Sequence, residues 1–191
     1  MRSYYPPYYV AQGVTLCVIL VLLAALVVQL VAHELPCPLC MLQRIAMMLC
    51  ALGSGSILWR RQQGVCSNHQ VCIGFGLSIL GALLGLAIAT RQVLLHILPG
   101  DPGFGSTVFN LHLYTWALAV FLAVILASSV GLLLTRETPP SASRIEAPLS
   151  YIVLALLGTV IAANLVSIVL EEGRHWILPD NPARYLLLHE I

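Results

Sequence analysis

Hydrophobic positions in this chain do not alternate with polar ones at a helical or strand period; they run on in long blocks. Five such blocks, uncharged or nearly so, stand at Val14 to Ala32, Met41 to Trp59, Val71 to Ala89, Leu113 to Leu134 and Pro148 to Leu170. Each holds at least nineteen residues. At roughly 1.5 Å of rise per residue a bilayer core needs about 20 residues of helix, so each block is long enough to span. The pattern predicts an all-α, polytopic membrane helix bundle of five transmembrane helices, followed by a tail over 171–191. The first block is too long for the apolar core of a signal peptide and no small-x-small cleavage site follows it, so it is expected to remain as an anchor.

Composition agrees with the blocks. Hydrophobic residues make up 59% of the 191 residues and charged ones only 9%, which removes a soluble domain from consideration. All nine basic residues are arginine and the net charge is +1, with no basic run, so nucleic acid is not an expected partner. Arginine placement sets the expected orientation. With the N-terminus inside, Arg2, Arg60, Arg61, Arg136 and Arg144 fall on the inner side, against Arg91, Arg174 and Arg184 outside. The acidic residues Glu34, Asp101, Glu171, Glu172, Asp180 and Glu190 all fall outside. The Pro/Ser-rich stretch at 135 to 147 suits a flexible inner connector. His96-Ile-Leu-Pro-Gly-Asp-Pro echoes His175-Trp-Ile-Leu-Pro-Asp-Asn-Pro, and Arg91-Gln-Val-Leu-Leu-His echoes Arg184-Tyr-Leu-Leu-Leu-His; these read as coincidences between short interfacial segments. Gly81 and Gly85, four apart, read as ordinary helix packing.

The candidate chemistry lies between the first two blocks, in Cys37-Pro-Leu-Cys40-Met-Leu-Gln-Arg44. A Cys-x-x-Cys pair serves as a zinc half-site, a haem attachment or a redox dithiol. Met41 stands where haem attachment needs His, and no second ligand pair stands on the same side to complete a zinc site with His33. A zinc site stays as the less favoured reading, and a redox dithiol fits more of the surrounding features. The second span begins near Met41, so both cysteines sit at or just before a helix N-terminus, where free amides and the dipole favour a thiolate. Arg44 is one helical turn beyond Cys40 and should favour it further. An arginine within a span costs up to ~2 to 3 kcal/mol, so Arg44 must either snorkel to the headgroups or meet a partner. The neighbouring dithiol favours a partner. A thiolate at the membrane edge needs an electron acceptor, and the one native to that depth is a lipid-soluble quinone, whose oxygens an arginine can bond.

The Cys37-x-x-Cys40-x-x-x-Arg44 stretch after a first span resembles the signature of the disulfide-bond formation protein B (DsbB) family. The resemblance covers about the first four spans. It implies a bacterial inner-membrane four-helix core, here with a fifth helix added. It further implies ubiquinone or menaquinone as cofactor and a periplasmic thioredoxin-fold, DsbA-like thiol oxidase as partner. Cys37 and Cys40 would then face the periplasm as the catalytic pair, with Arg44 at the quinone. The stretch from Arg91 to His96 resembles the family's quinone-proximal segment, so Arg91 and His96 are carried over as quinone contacts.

Two features depart from that family. Its second outer loop carries another cysteine pair, whereas residues 90 to 112 here contain none. The fifth span is extra, and it puts Glu171, Glu172 and His175 at the start of what reads as a solvated acidic tail. Cys17 and Cys50 read as small apolar packing residues, as do Met41, Met47 and Met48, and Cys66 and Cys72 with His69 between them do not form a standard metal motif. Three functions follow. The first is a quinone-dependent thiol oxidase in which Cys37, the more aqueous sulfur, exchanges with substrate and Cys40 passes electrons on. The second is a redox-inactive or regulatory paralogue that binds quinone or assists assembly. The third runs electrons from quinol to outer disulfides.

Overall fold

The computed structural model describes residues 5–101, 103–135, 146–173 and 185–189. It is a helical bundle: α1 (Pro6–Val31), α2 (Pro38–Gln62), α3 (Asn68–Leu95), α4 (Leu113–Leu133), α5 (Glu146–Glu172) and the short α6 (Leu186–His189), with a two-stranded hairpin of β1 (Thr107–Val108) and β2 (Leu111–His112) between α3 and α4. The first five helices are each long and apolar enough to cross a membrane. Each predicted block falls within one of them, apart from the capping residues Ala32 and Leu134. The helices outrun the blocks because their ends carry polar and aromatic residues. α1, for instance, starts at Pro6 behind Tyr5, with prolines in its first positions where a missing N–H costs nothing.

α2 is the central helix. Its apolar window is 72% buried, against 28–39% for the other four, and it packs against α3, α1 and α5. α3 packs on α4, and α5 lies along α1 and α2. Close approach of α2 and α3 depends on small residues: a Cβ at Gly53 would meet the Ser78 backbone nitrogen at 2.6 Å, and the Ser78 hydroxyl donates to the Cys50 carbonyl at 2.8 Å. Gly81 faces Cys50 of α2 while Gly85 receives the Phe121 ring of α4, so the two glycines serve different neighbours. Leu20, Leu30, Leu80, Leu84, Leu126 and Ile152 point outward, an apolar perimeter suited to lipid.

The two ends of the bundle differ. At one end Arg61 is buried against the rings of Tyr5 and Tyr8, 5.2 and 4.9 Å from their centroids, and the Tyr8 hydroxyl meets Ser150 of α5 at 2.6 Å. Cys66 lies here too, and burial pushes its thiol up. Cys50 is buried as expected; Cys17, by contrast, is on the bundle surface, as is Cys72. The opposite end carries the Cys37–Cys40 link, the hairpin and α6. Of the arginines used for orientation, Arg60 and Arg61 lie at the first end and Arg91 near the second. Arg2, Arg136, Arg144, Arg174 and Arg184 lie outside the described residues, as do most of the 135–147 connector, Asp180, Glu190 and His175.

Candidate active site

The cysteines owe their places to how α2 starts. Ala32 caps α1, His33 takes a left-handed φ of 55° and reverses the chain, and Pro36-Cys37-Pro38 keeps the link extended. Cys37 becomes the N-cap of α2, with Pro38 in its first turn, and its sulfur accepts the Cys40 backbone N–H at 3.2 Å. Cys40 therefore lies inside the first turn rather than before it. Both are free thiols. Their exposure is the reverse of expectation: Cys37 is 6% exposed and buried, and Cys40 is the partly exposed one. The N-cap position turns the Cys37 side chain back over the helix end, which is what hides it. Its thiol is pushed up, first by the hydrogen bond it shares with Cys40 and then by burial.

Gln92 of α3 joins the two sulfurs. It is 1% exposed, and its amide nitrogen donates to Cys37 Sγ at 3.2 Å and to Cys40 Sγ at 3.4 Å. Its carbonyl accepts from Gln43 Nε2 at 2.7 Å, which fixes the amide's orientation. One turn beyond Cys40, Arg44 is 7% exposed and turned inward, so it does not snorkel. Its Nη1 donates to Gln29 Oε1 at 2.6 Å and its Nη2 to the Ala25 carbonyl at 3.1 Å, both on α1. The Gln29 carbonyl also accepts from Ser167 of α5 at 2.8 Å, and its amide donates to Glu171 Oε2 at 3.2 Å and to the Tyr185 hydroxyl at 3.3 Å.

Glu171 thus overturns the reading of it as part of a solvated tail. It is fully buried at the end of α5, within electrostatic range of Arg44 and Cys40. Packing of α5 on α1 and α2 carries it there. Glu172 is partly exposed.

His96 and Arg91 have separate fates. Arg91 is exposed on α3 beside the buried Gln92, and the fold does not bring it to the sulfurs. His96 caps α3, bonds Asp101 through Nδ1 at 3.1 Å, and stacks on Tyr114 of α4 with centroids 5.6 Å apart. Tyr114 in turn stacks on His112 at 5.1 Å and lies within electrostatic range of Cys40, so His96 borders the site through that ring. The Gly103 N–H, given at 2.8 Å, and then His96 hold the Asp101 carboxyl below the usual carboxylate range. The cysteine-free loop is tied down differently: Glu34 accepts the Ser106 backbone N–H at 3.0 Å and the Ser106 hydroxyl. Among the described residues no group of three or more His, Cys, Asp or Glu forms a metal-type cluster.

Sequence reasoning missed Gln29, Gln43, Gln92, Tyr114, Ser167, Glu171 and Tyr185. One signal was present. Gln29, Gln43 and Gln92 are polar residues at the cysteine-side ends of three successive apolar helices, and intramembrane polar residues seek partners. The donor set suits a quinone's acceptor oxygens, since guanidinium and amide N–H groups lie beside the dithiol. Arg44 and Gln92 are the residues that would hold it.

Residues 9–106, about half of the chain, match the family model described as Disulfide bond formation protein DsbB. The match takes in α1 to α3 and most of the following loop, ending before α4 rather than extending over four spans. A stretch of 89 residues is 39% identical to Disulfide bond formation protein B of Chromohalobacter salexigens, covering 47% of this chain and 49% of that protein. The chain therefore spans about half the length of the curated relative it matches. No solved structure matches it. A Cys-x-x-Cys helix start with a buried arginine one turn on, inside a bundle of membrane-length helices and within the matched region, leads to one assignment: this chain is a multi-pass membrane protein of the DsbB family.

Proposed function

We propose that this protein is an inner-membrane thiol:quinone oxidoreductase that oxidises a periplasmic, DsbA-like thioredoxin-fold partner and so supports disulfide formation. The observation that carries the reading is the Gln92 amide held on both sulfurs at 3.2 and 3.4 Å, one turn from the inward-turned Arg44. Such an arrangement stabilises charge on either sulfur, which a structural dithiol does not need.

The cycle starts with a Cys37–Cys40 disulfide. A partner thiolate attacks Cys37 Sγ, forming a mixed disulfide and releasing Cys40 as a thiolate stabilised by the α2 N-terminus, Gln92 and Arg44. The partner's second thiolate then attacks its own bridged sulfur and frees Cys37, so the partner leaves oxidised and the pair is left reduced. A quinone bound beside the pair would supply an acceptor for two electrons and two protons. Cys37 takes up one of the two protons that the partner's thiols lost on ionising; as Cys37 and Cys40 rejoin, two electrons leave with the Cys37 proton and water supplies the second proton, so the cycle balances. Arg44 and Gln92 orient the acceptor's oxygens by hydrogen bonding, and the surrounding apolar helices exclude water. With Cys37 buried and the link tied to Ser106 by Glu34, partner access requires the link to lift.

In detergent, purified protein given ubiquinone-1 and a reduced thioredoxin-fold protein should turn over both. Cys37→Ser should abolish exchange, and Cys40→Ala should hold the partner as a mixed disulfide on Cys37. Normal turnover by Cys37→Ser would refute the assignment. A second reading, a quinone-binding paralogue without oxidase activity, is favoured by the missing cysteine pair in residues 90 to 112. Quinone binding without any reduction across a range of thiol proteins would select it.

A further inference from the structure

Glu171 is a fully buried acid contributed by a helix outside the family match. Its Oε2 takes the Gln29 amide, while Oε1 is buried with no hydrogen-bond partner among the described residues. Leaving such an acceptor unmet is costly, more so if the group is charged. A glutamine at the same place would keep the bond to Gln29 without a titratable group, so structure alone gives no reason for an acid. The Gln29 side chain stands between Glu171 and the Arg44 guanidinium, and Cys40 lies within electrostatic range of both. A protonatable group with a spare oxygen thus belongs to the same buried polar cluster as a dithiol whose oxidation must release a proton.

We propose that Glu171 is the proton-exchanging group of the buried Glu171–Gln29–Arg44 cluster, taking up a proton as the Cys37–Cys40 bond forms and passing it on toward the acceptor. The inference rests on the oxidoreductase reading above. Cys40 enters the step as a thiolate, so when the S–S bond forms one S–H bond, that of Cys37, breaks and two electrons leave. Glu171 receives that proton, passes it on toward the acceptor, and ends each cycle unchanged. The two electrons would end on the quinone together with this proton and a second one drawn from water. Gln29 holds the carboxyl in register and Arg44 balances its charge when ionised.

The test compares wild type, Glu171→Gln and Glu171→Asp in detergent. Infrared difference spectra between the dithiothreitol-reduced and ferricyanide-oxidised protein, without quinone, should contain a carboxylic C=O band that Glu171→Gln lacks. In single turnovers of the prereduced protein with ubiquinone-1, Glu171→Gln should slow quinol formation by about a hundredfold, with the half-saturating quinone concentration unchanged and the rate largely restored in Glu171→Asp. Circular dichroism of each variant checks the fold. Absence of the band, or a wild-type rate in Glu171→Gln, overturns the inference while leaving the oxidoreductase reading intact. A slower rate reached only through weaker quinone binding also overturns it, since that marks a packing role. Wild-type protein that reduces no quinone refutes the oxidoreductase reading, and this inference with it.

Discussion

Replacing Gln92 by leucine removes the shared hydrogen-bond donor on the two sulfurs while keeping the volume of the side chain. Hydrogen bonds to charged groups contribute about 1.5–3 kcal/mol each, and 1.4 kcal/mol is a factor of ten in population. With both N–H···S contacts at 3.2 and 3.4 Å coming from one amide, the loss of one such bond's worth is the conservative figure. The ionisation constant of the pair should therefore fall by roughly ten- to hundredfold. The assay is the pH dependence of alkylation of the reduced pair by iodoacetamide, whose midpoint should move up accordingly, in protein whose Cys17, Cys50, Cys66 and Cys72 are replaced. Gln43→Leu is the control: it removes the 2.7 Å bond to the Gln92 carbonyl but leaves the amide near the sulfurs. It should lower that constant by no more than about threefold, since it loosens the amide rather than removing it. A wild-type midpoint in Gln92→Leu would refute the electrostatic role given to Gln92.

Further outcomes follow from other contacts. Glu34→Gln weakens the tie to Ser106 and should speed alkylation of Cys37 in a Cys40→Ala background; an unchanged rate would show that the link is held by something else. Gly85→Val drives a side chain into the Phe121 ring and should destabilise the bundle by about 1–3 kcal/mol, read as a lowered thermal midpoint in detergent, while an unaltered midpoint would contradict the packing described. Because Asp101 is held below the ordinary carboxylate range, its contact with Gly103 contributes fully above the unfolded value and is lost only as pH falls through the lower folded one. Followed by NMR, the Asp101 side-chain carbon should titrate below about pH 4, and a midpoint at or above that value would contradict the assignment.

The spans were legible because nothing but helix can carry nineteen apolar residues through a bilayer, and a run of Val, Leu and Ala announces that directly. Helix ends were less legible. Pro6-Pro7-Tyr8-Tyr9 lies ahead of the first apolar block, yet it is the first turn of α1, because aromatic and proline residues suit the interface. The hairpin at 107 to 112 was not readable: its turn residues Phe109 and Asn110 both have positive φ, and Phe carries no sign of that. Cys37, Cys40 and Arg44 were found because their spacing is local. Gln92 and Glu171 were not, because each acquires meaning only from residues far away in the chain, 55 positions for Gln92 and Cys37 and 142 for Glu171 and Gln29. Exposure of the two cysteines was misread for a related reason, since capping geometry and not sequence order decides which sulfur is covered.

The places where local rules fail cluster at one end of the bundle. Three glutamines, an arginine and a glutamate lie buried there, where the perimeter is leucine and valine, and each would be costly alone. Together they are cheap, because Gln29 and Gln92 each use both halves of the amide: one joins Arg44 to Glu171, the other joins Gln43 to the sulfurs. An amide that accepts on one side and donates on the other lets charge be buried without an ion pair, and leaves the guanidinium and the carboxyl separated by one neutral group. A direct Arg44–Glu171 pair would neutralise both and quench their effect on Cys40. The intervening glutamine preserves a positive group near the sulfur and keeps the carboxyl out of a direct pair, which in the proposed cycle leaves that carboxyl free to change its proton.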